Sequence, residues 1–270
     1  MNQATRFQGK ALQMEWPAGG VALVTFTRSE ELNTLSLELI SELRHALEVA
    51  EHCDAGALIL TGTGRAFCAG ADLKLVASAA SPVTRTPMQY RDRYLAPIAN
   101  LFDSFEEKAF PIIAAINGYA LGGGCEMALS ADFRIMDRKA CLGLPEVTLG
   151  AIPGAGGVQK LIRHVGRAKA LEWILLGSRV SAEEAYARGL VVELTDAEEL
   201  VPRALALAKR IFEASPAAIA QAKMSVYVAE DADLRTARRF GLEALTTLAG
   251  TTHYKKGVKA FVQKRKAQFR

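Results

Sequence analysis

Residues 111–126, Pro111-Ile-Ile-Ala-Ala-Ile-Asn-Gly-Tyr-Ala-Leu-Gly-Gly-Gly-Cys-Glu126, decide the fold class. Residues 111–116 form a short, wholly apolar run of the kind that makes a buried strand, and the glycine-rich segment after them opens a short helix. Three consecutive glycines each weaken a helix interior by about 0.8–1 kcal/mol relative to alanine, so they belong at a helix start. There they bare several N–H groups at the positive end of the helix dipole, a setting that suits an anion and places Glu126 beside it.

The same strand-to-helix pattern extends outward in both directions. Residues 11–16 and 21–26 are β-prone runs around Pro17-Ala18-Gly19-Gly20, a hairpin signature. Ser36 is an N-cap for a helix with apolar positions Leu37, Ile40, Leu43, Leu47 and Ala50. Residues 57–61 (ALILT) form a strand. A second amphipathic helix uses Tyr90, Tyr94, Ile98, Leu101, Phe102 and Phe105 as core positions. Residues 133–136 and the run around Leu142 continue the series. Alternation through about residue 150 argues for an α/β core with crossover connections.

Beyond Gly157 the chain reads as helical. Ser181-Ala-Glu-Glu184 is a capping box, and a short strand is expected at 191–194. Helices are expected at 200–214, 216–228, 234–248 and 258–269. The expected organisation is residues 1–200 as the α/β core and 201–270 as a helical region whose apolar stripes serve oligomerisation.

Composition narrows the function. The chain has 270 residues, 50% of them hydrophobic and 23% charged, which excludes intrinsic disorder. Its net charge of +4 (33 − 29) is too small to imply a nucleic-acid binder without a concentrated patch. The uncharged stretch 109–125 spans 17 residues with proline and four glycines, short of the roughly 20 apolar residues a membrane helix needs. The N-terminus has no apolar run of signal-peptide length. Four cysteines, Cys53, Cys68, Cys125 and Cys141, lack CxxC spacing and read as free thiols of a reducing compartment, the cytoplasm or an organelle matrix. The four histidines make no metal motif, and neither a GxSxG elbow nor a phosphate loop is present, so metal, serine-hydrolase and nucleotide-triphosphatase chemistry is not expected.

Three segments carry chemistry. Arg65-Ala-Phe-Cys-Ala-Gly-Ala-Asp-Leu73 leaves a buried strand with small residues that admit a ligand to the backbone. The 117–126 segment supplies helix-start amides and Glu126. The third, Gly143-Leu-Pro-Glu146 to Gly157, holds Glu146 in an otherwise uncharged stretch from 140 to 159, where an isolated carboxylate is costly unless exposed or used. Each segment alone also fits simple packing: a loop under a helix, a tight helix crossing, a cap. Together they supply N–H donors from two loops and two carboxylates, the parts needed to stabilise an enolate and move a proton at the adjacent carbon.

These segments resemble the crotonase superfamily, most closely its enoyl-CoA hydratases. The likeness runs from Val21-Ala-Leu-Val-Thr-Phe and Leu32-Asn-Thr-Leu to the closing Ala260-Phe-Val-Gln-Lys-Arg-Lys-Ala-Gln-Phe269. It implies an α/β crotonase-like spiral of β-β-α units with a helical C-terminal trimerisation region, trimers commonly paired into hexamers, and acyl-CoA thioester substrates with no separate cofactor and no metal. It further implies Glu126 and Glu146 as catalytic carboxylates and the N–H groups of Ala71 and Gly123 as the oxyanion hole. Ala69, Gly70, Ala71, Asp72, Leu73, Gly122, Gly123 and Pro145 would line the thioester and pantetheine, with Arg28, Arg65, Lys74 and Lys264 toward the coenzyme's phosphates. Family members that isomerise double bonds often lack one of the two glutamates. The alternatives are an isomerase or a hydratase of a cyclic or aromatic acyl group. A more distant one is RNA binding through Arg235, Arg238 and Arg239 or the basic C-terminus, but those arginines alternate with apolar residues, and neither a nucleic-acid nor a membrane partner is expected. Ser29 departs from the family's frequent proline, and the stretch 78–88 falls where relatives vary their acyl pocket.

Overall fold

The computed structural model describes residues 7–78, 80–83 and 85–269. In chain order its strands are β1 (Phe7–Gln8), β2 (Leu12–Ala18), β3 (Val21–Phe26), β4 (Ala57–Gly62), β5 (Ala66–Cys68), β6 (Ile112–Ile116), β7 (Tyr119–Leu121), β8 (Phe133–Asp137), β9 (Cys141–Gly143), β10 (Val180–Ser181) and β11 (Glu193–Thr195). The helices are α1 (Leu37–His52), α2 (Leu73–Ala77), α3 (Pro87–Tyr90), α4 (Ala96–Glu107), α5 (Gly123–Ser130), α6 (Gly157–Leu175), α7 (Ala182–Ala187), α8 (Leu200–Phe212), α9 (Pro216–Asp231), α10 (Leu234–Ala249) and α11 (Thr252–Val262).

The strands form two sheets. A seven-stranded sheet runs β1-β2-β3-β4-β6-β8-β11 and is parallel from β3 onward; a four-stranded sheet runs β10-β9-β7-β5. Parallel strands covered on both faces need apolar side chains at every position, which is why β4 and β6 read as unbroken apolar runs. Successive residues serve different layers. Ala22, Val24, Leu58, Leu60, Ile112 and Ala114 join the main core, while Val21, Leu23, Ala57, Ile59, Ile113 and Ala115 face α8 through Leu200, Ala204 and Ala208.

The spiral expected from the resemblance is visible in the connections. Three times a strand of the large sheet (β4, β6, β8) is followed within a few residues by a strand of the small sheet (β5, β7, β9) and then a helix or turn. In the first turn of the spiral Leu35 takes the small-sheet place as a single parallel bridge to Ala71. The small-sheet register pairs Cys68 with Ala120 and Leu121 with Gly143. The segments leaving β5, β7 and β9 therefore emerge side by side, one strand spacing of about 4.8 Å apart.

Several boundaries differ from expectation. The hairpin turn is Gly19-Gly20 alone; Pro17 lies inside β2 where the pairing to β3 shifts. A proline there removes a ladder donor, and the irregularity accommodates it. The helical segment through Tyr90 and Phe105 contains a π turn at Arg91–Leu95. Strand β11 starts two residues later and ends one residue later than 191–194, because its register is set by pairing with Ile135, Met136 and Asp137 of β8. The last helix is Thr252–Val262, not 258–269: the Thr251 hydroxyl accepts the Tyr254 N–H and starts the helix early, and Lys264 takes a left-handed φ of 52° that ends it.

Candidate active site

The three glycine-rich segments meet beyond the small sheet. Leu35 N–H donates to Gly70 C=O at 2.8 Å, and Ala69 N–H to Leu32 C=O at 3.0 Å, which lays the 69–72 segment along residues 32–35. A Cβ on Gly70 would fall 2.7 Å from the Leu121 carbonyl oxygen and 3.2 Å from the Gly123 nitrogen, so this loop rests directly against the start of α5. The Gly70 carbonyl is held by Leu35, and a trans peptide points its C=O and N–H oppositely. The Ala71 N–H thus faces away from Leu35. Gly123, the first residue of α5, has an N–H with no partner inside its own helix.

Glu126 lies in the first turn of α5 and is 4% exposed. Its Oε1 accepts the N–H groups of Ala155 at 2.7 Å and Gly157 at 2.9 Å. Burial raises its pKa, opposed by those two N–H groups and by the Lys160 charge. Glu146 opens a 3-10 turn, Glu146–Leu149, directly after Pro145. Burial pushes its pKa up to about 7, and the neighbouring Glu126 charge pushes in the same direction. Its Oε2 is buried without a hydrogen-bond partner. Gly122, at φ 53°, lies under this carboxyl: a Cβ there would meet Glu146 Oε1 at 3.1 Å and the Gly70 Cα at 3.9 Å. Two carboxylates with raised pKa values therefore flank the point where the two amide-bearing loops touch.

Two asparagines hold the loops behind this point. Asn117 accepts the Gly62 N–H at 3.0 Å and donates to the carbonyls of Gly64 and Ala66; Asn33 Nδ2 donates to those of Thr63 and Ala66. Tyr94, read from periodicity as a core position, is fully buried, yet its hydroxyl accepts the Asp72 N–H at 2.9 Å and donates to Leu35 C=O at 2.7 Å. Periodicity carries no sign of such a bond, since Tyr and Phe fill the same apolar position.

The expected coenzyme-binding residues divide into two groups. Ala69–Lys74, Gly122 and Pro145 follow or border the meeting point, with Leu73 and Lys74 exposed, while exposed Arg65 stands at the amino end of β5, its carbonyl accepting the Tyr119 N–H. Arg28 adjoins them through Leu32 and Asn33, and its guanidinium faces Glu31 and Glu38 at 3.6 and 3.8 Å. Lys264 does not join them. Its neighbour Lys266 pairs with Glu213, next to Phe212, whose ring packs on Gly20 at the amino end of β3. The candidate site lies beyond the carboxyl ends of β5, β7 and β9 of the small sheet. The helical C-terminus reaches the far end of the large sheet, a placement the linear sequence does not encode.

The histidines stand apart. His164 is partly buried, and burial together with the Arg134 charge lowers its pKa to about 4; His253 bonds the Ser215 hydroxyl at 3.1 Å. Among the described residues no cluster of three or more His, Cys, Asp or Glu side chains could hold a metal ion, and no helix is long and apolar enough to cross a membrane. All four cysteines are free; Cys68 and Cys125 are buried, Cys53 and Cys141 only partly so.

Comparison with known proteins gives the family of the chain. The sequence profile of the Enoyl-CoA hydratase/isomerase family matches residues 17–270. The chain is 40% identical over 248 residues to the Dictyostelium discoideum protein named "Probable enoyl-CoA hydratase, mitochondrial", covering 92% of this chain and 86% of that one. It is 38% identical over 251 residues to the mitochondrial enoyl-CoA hydratase of Pongo abelii, covering 93% and 83%. The crystal structure of the Bacillus anthracis enoyl-CoA hydratase superposes with a TM-score of 0.89 at 36% identity, covering 96% of this chain and 99% of that one. With two paired glutamates, two adjoining amide loops and a family match over nearly its whole length, the chain belongs to the enoyl-CoA hydratase/isomerase family.

Proposed function

We propose that the chain is an enoyl-CoA hydratase that adds water reversibly to a 2-enoyl-CoA and yields a 3-hydroxyacyl-CoA. In this reading the N–H groups of Ala71 and Gly123 bind the thioester oxygen and stabilise the enolate as it forms; one such donor contributes ~10²–10³ in rate. Glu126, its Oε1 held by two backbone amides, takes a proton from water as the water oxygen bonds to the β-carbon. The alkene electrons move onto the thioester, and Glu146 passes its proton to the α-carbon as the enolate collapses. Water is consumed whole, and the two carboxylates end with the proton exchanged between them. The observation that carries the reading is a pair of carboxylates, both with pKa values raised by burial, beside the two amide-bearing loops: Glu146 lies against Gly122, and the Glu126 charge adds to the raising of Glu146.

The acyl-CoA would enter along Ala69–Leu73 and Gly122, with Arg28, Arg65 and Lys74 toward its phosphates. Exposed Leu234, Leu242, Leu245 and Phe261 on α10 and α11 support self-association, as trimers or hexamers, through the 201–270 region. Free thiols support a reducing compartment, cytoplasm or organelle matrix. Loss of enoyl-thioester absorbance on crotonyl-CoA tests the activity. Glu126→Gln and Glu146→Gln should each lower kcat by about 10²–10⁴ with little change in KM. Near-wild-type hydration by both variants would refute the assignment.

A further inference from the structure

The hydroxyl of Tyr94 does more than fill the core. Leu35 and Ala71 form a parallel bridge whose first bond is direct, from Leu35 N–H to Gly70 C=O. The second bond of such a bridge would join Asp72 N–H to Leu35 C=O. Between these two groups stands the Tyr94 hydroxyl, accepting from Asp72 N–H at 2.9 Å and donating to Leu35 C=O at 2.7 Å. Each peptide plane flanking Ala71 is thereby held: the plane before it by Leu35, the plane after it by Tyr94. Leu35 also reaches the other loop, its Cδ1 lying 2.5 Å from where a Cβ on Gly123 would sit. Tyr94 itself is fully buried in the π turn Arg91–Leu95 and stacks on Tyr90 at 5.7 Å, so its ring has little freedom to move. Burial raises the phenol's pKa, which keeps the hydroxyl protonated and able to donate and accept at once.

We infer that Tyr94 is a positioning residue for the oxyanion hole: the Leu35 N–H bond to Gly70 C=O gives the Ala71 N–H its direction, and the Tyr94 hydroxyl, by tying Leu35 C=O to the Asp72 N–H, fixes where Ala71 stands between them and so its spacing from Gly123. The inference rests on the hydratase reading for its kinetic consequence but not for its spectroscopic one. Misplacing a reacting group by about 1 Å costs on the order of 10²-fold in rate, and Tyr94→Phe cuts the link between Asp72 and Leu35, which lets Ala71 shift by a fraction of that.

The test compares wild type, Tyr94→Phe and, as a control, Tyr186→Phe on the exposed face of α7. Crotonyl-CoA hydration should show kcat lowered about 10- to 100-fold in Tyr94→Phe with KM changed less than about 3-fold, and Tyr186→Phe unchanged. The second readout needs no turnover. Bound 4-(dimethylamino)cinnamoyl-CoA absorbs at longer wavelength as its thioester carbonyl is polarised, and Tyr94→Phe should lose most of the wild-type shift. Failure of wild type to hydrate crotonyl-CoA would refute the hydratase reading while leaving this spectral comparison to decide the inference. A Tyr94→Phe protein with the full wild-type shift, or with kcat within 2-fold of a competent wild type, overturns it. If Tyr94→Phe does not fold, 4-fluorophenylalanine at position 94 fills the space of the hydroxyl but neither donates to Leu35 C=O nor accepts usefully from Asp72 N–H; an unchanged spectral shift there overturns the inference equally.

Discussion

Gly157 leaves the space that Glu126 occupies. Its N–H donates to Glu126 Oε1 at 2.9 Å, and a Cβ on it would lie 2.8 Å from Glu126 Cγ and 2.9 Å from the same oxygen. One residue thus both orients the carboxylate and must lack a side chain to do so. Gly157→Ala should displace Glu126 and lower kcat for crotonyl-CoA hydration about 10- to 100-fold, with a smaller effect on KM. Steady-state kinetics on the folded variant check this.

Gly122, at φ 53° and ψ −127°, makes a parallel demand beneath Glu146. In such a conformation an L-residue costs about 1–3 kcal/mol, and an alanine Cβ would press on Glu146 Oε1 at 3.1 Å. Gly122→Ala should lower stability by about that amount in urea titration and reduce kcat at least about 10-fold. Gly189→Ala, also at positive φ (74°) but with nothing within 4 Å of its Cβ, should show the stability loss alone.

The pH dependence follows from Glu146. In the proposed mechanism hydration uses its protonated form, so hydration kcat should decline above about pH 7, and dehydration of the 3-hydroxyacyl-CoA should gain over the same range. Stability carries the same signature. The folded state holds this proton up to about pH 7 while the unfolded state releases it near 4.5, so folding is favoured below 4.5 and loses that contribution as pH rises through 7. Glu146→Gln should flatten the decline in Tm between pH 5 and pH 8; Glu126, also raised, keeps part of the slope.

Lys223 of α9 binds the helical region to the core. Its Nζ donates to Asp132 at 2.8 Å and to the carbonyls of Phe105 and Phe110, while Tyr227 donates to the other Asp132 oxygen at 2.9 Å. Both charges are nearly buried, at 7% and 11% side-chain exposure. Lys223→Met should cost about 3–5 kcal/mol, because it leaves the buried Asp132 carboxylate without its counter-charge, held only by the Tyr227 hydroxyl and the Ile112 N–H. Adding Asp132→Asn should recover part of that loss, a coupling readable from a double-mutant cycle in urea.

Local features of the chain determined most elements and the identity of the candidate acids. Ser36, Ser181 and the apolar runs at 57–61 and 111–116 declare their helices and strands because caps and periodicity act over a few residues. Glu126 and Glu146 stand out as lone charges among glycines and apolar residues, a signal visible without coordinates. The early start of α11 and the shift of β11 were less legible, since one depends on a threonine cap competing with a weak apolar pattern and the other on pairing with β8.

Tertiary structure alone decided which distant atoms meet. The small-sheet register aligns Cys68, Ala120 and Leu142 on neighbouring strands, and only that alignment brings Gly70 against Gly123 and Glu146 over Gly122. Tyr94 and Leu35, 59 residues apart, share a hydrogen bond that no spacing rule encodes, and Lys264 sits at the end of the sheet away from its expected partners. Hydrophobic burial is non-directional and specifies what goes inside; the crossovers and strand register, set by the whole chain packing at once, specify what goes beside what.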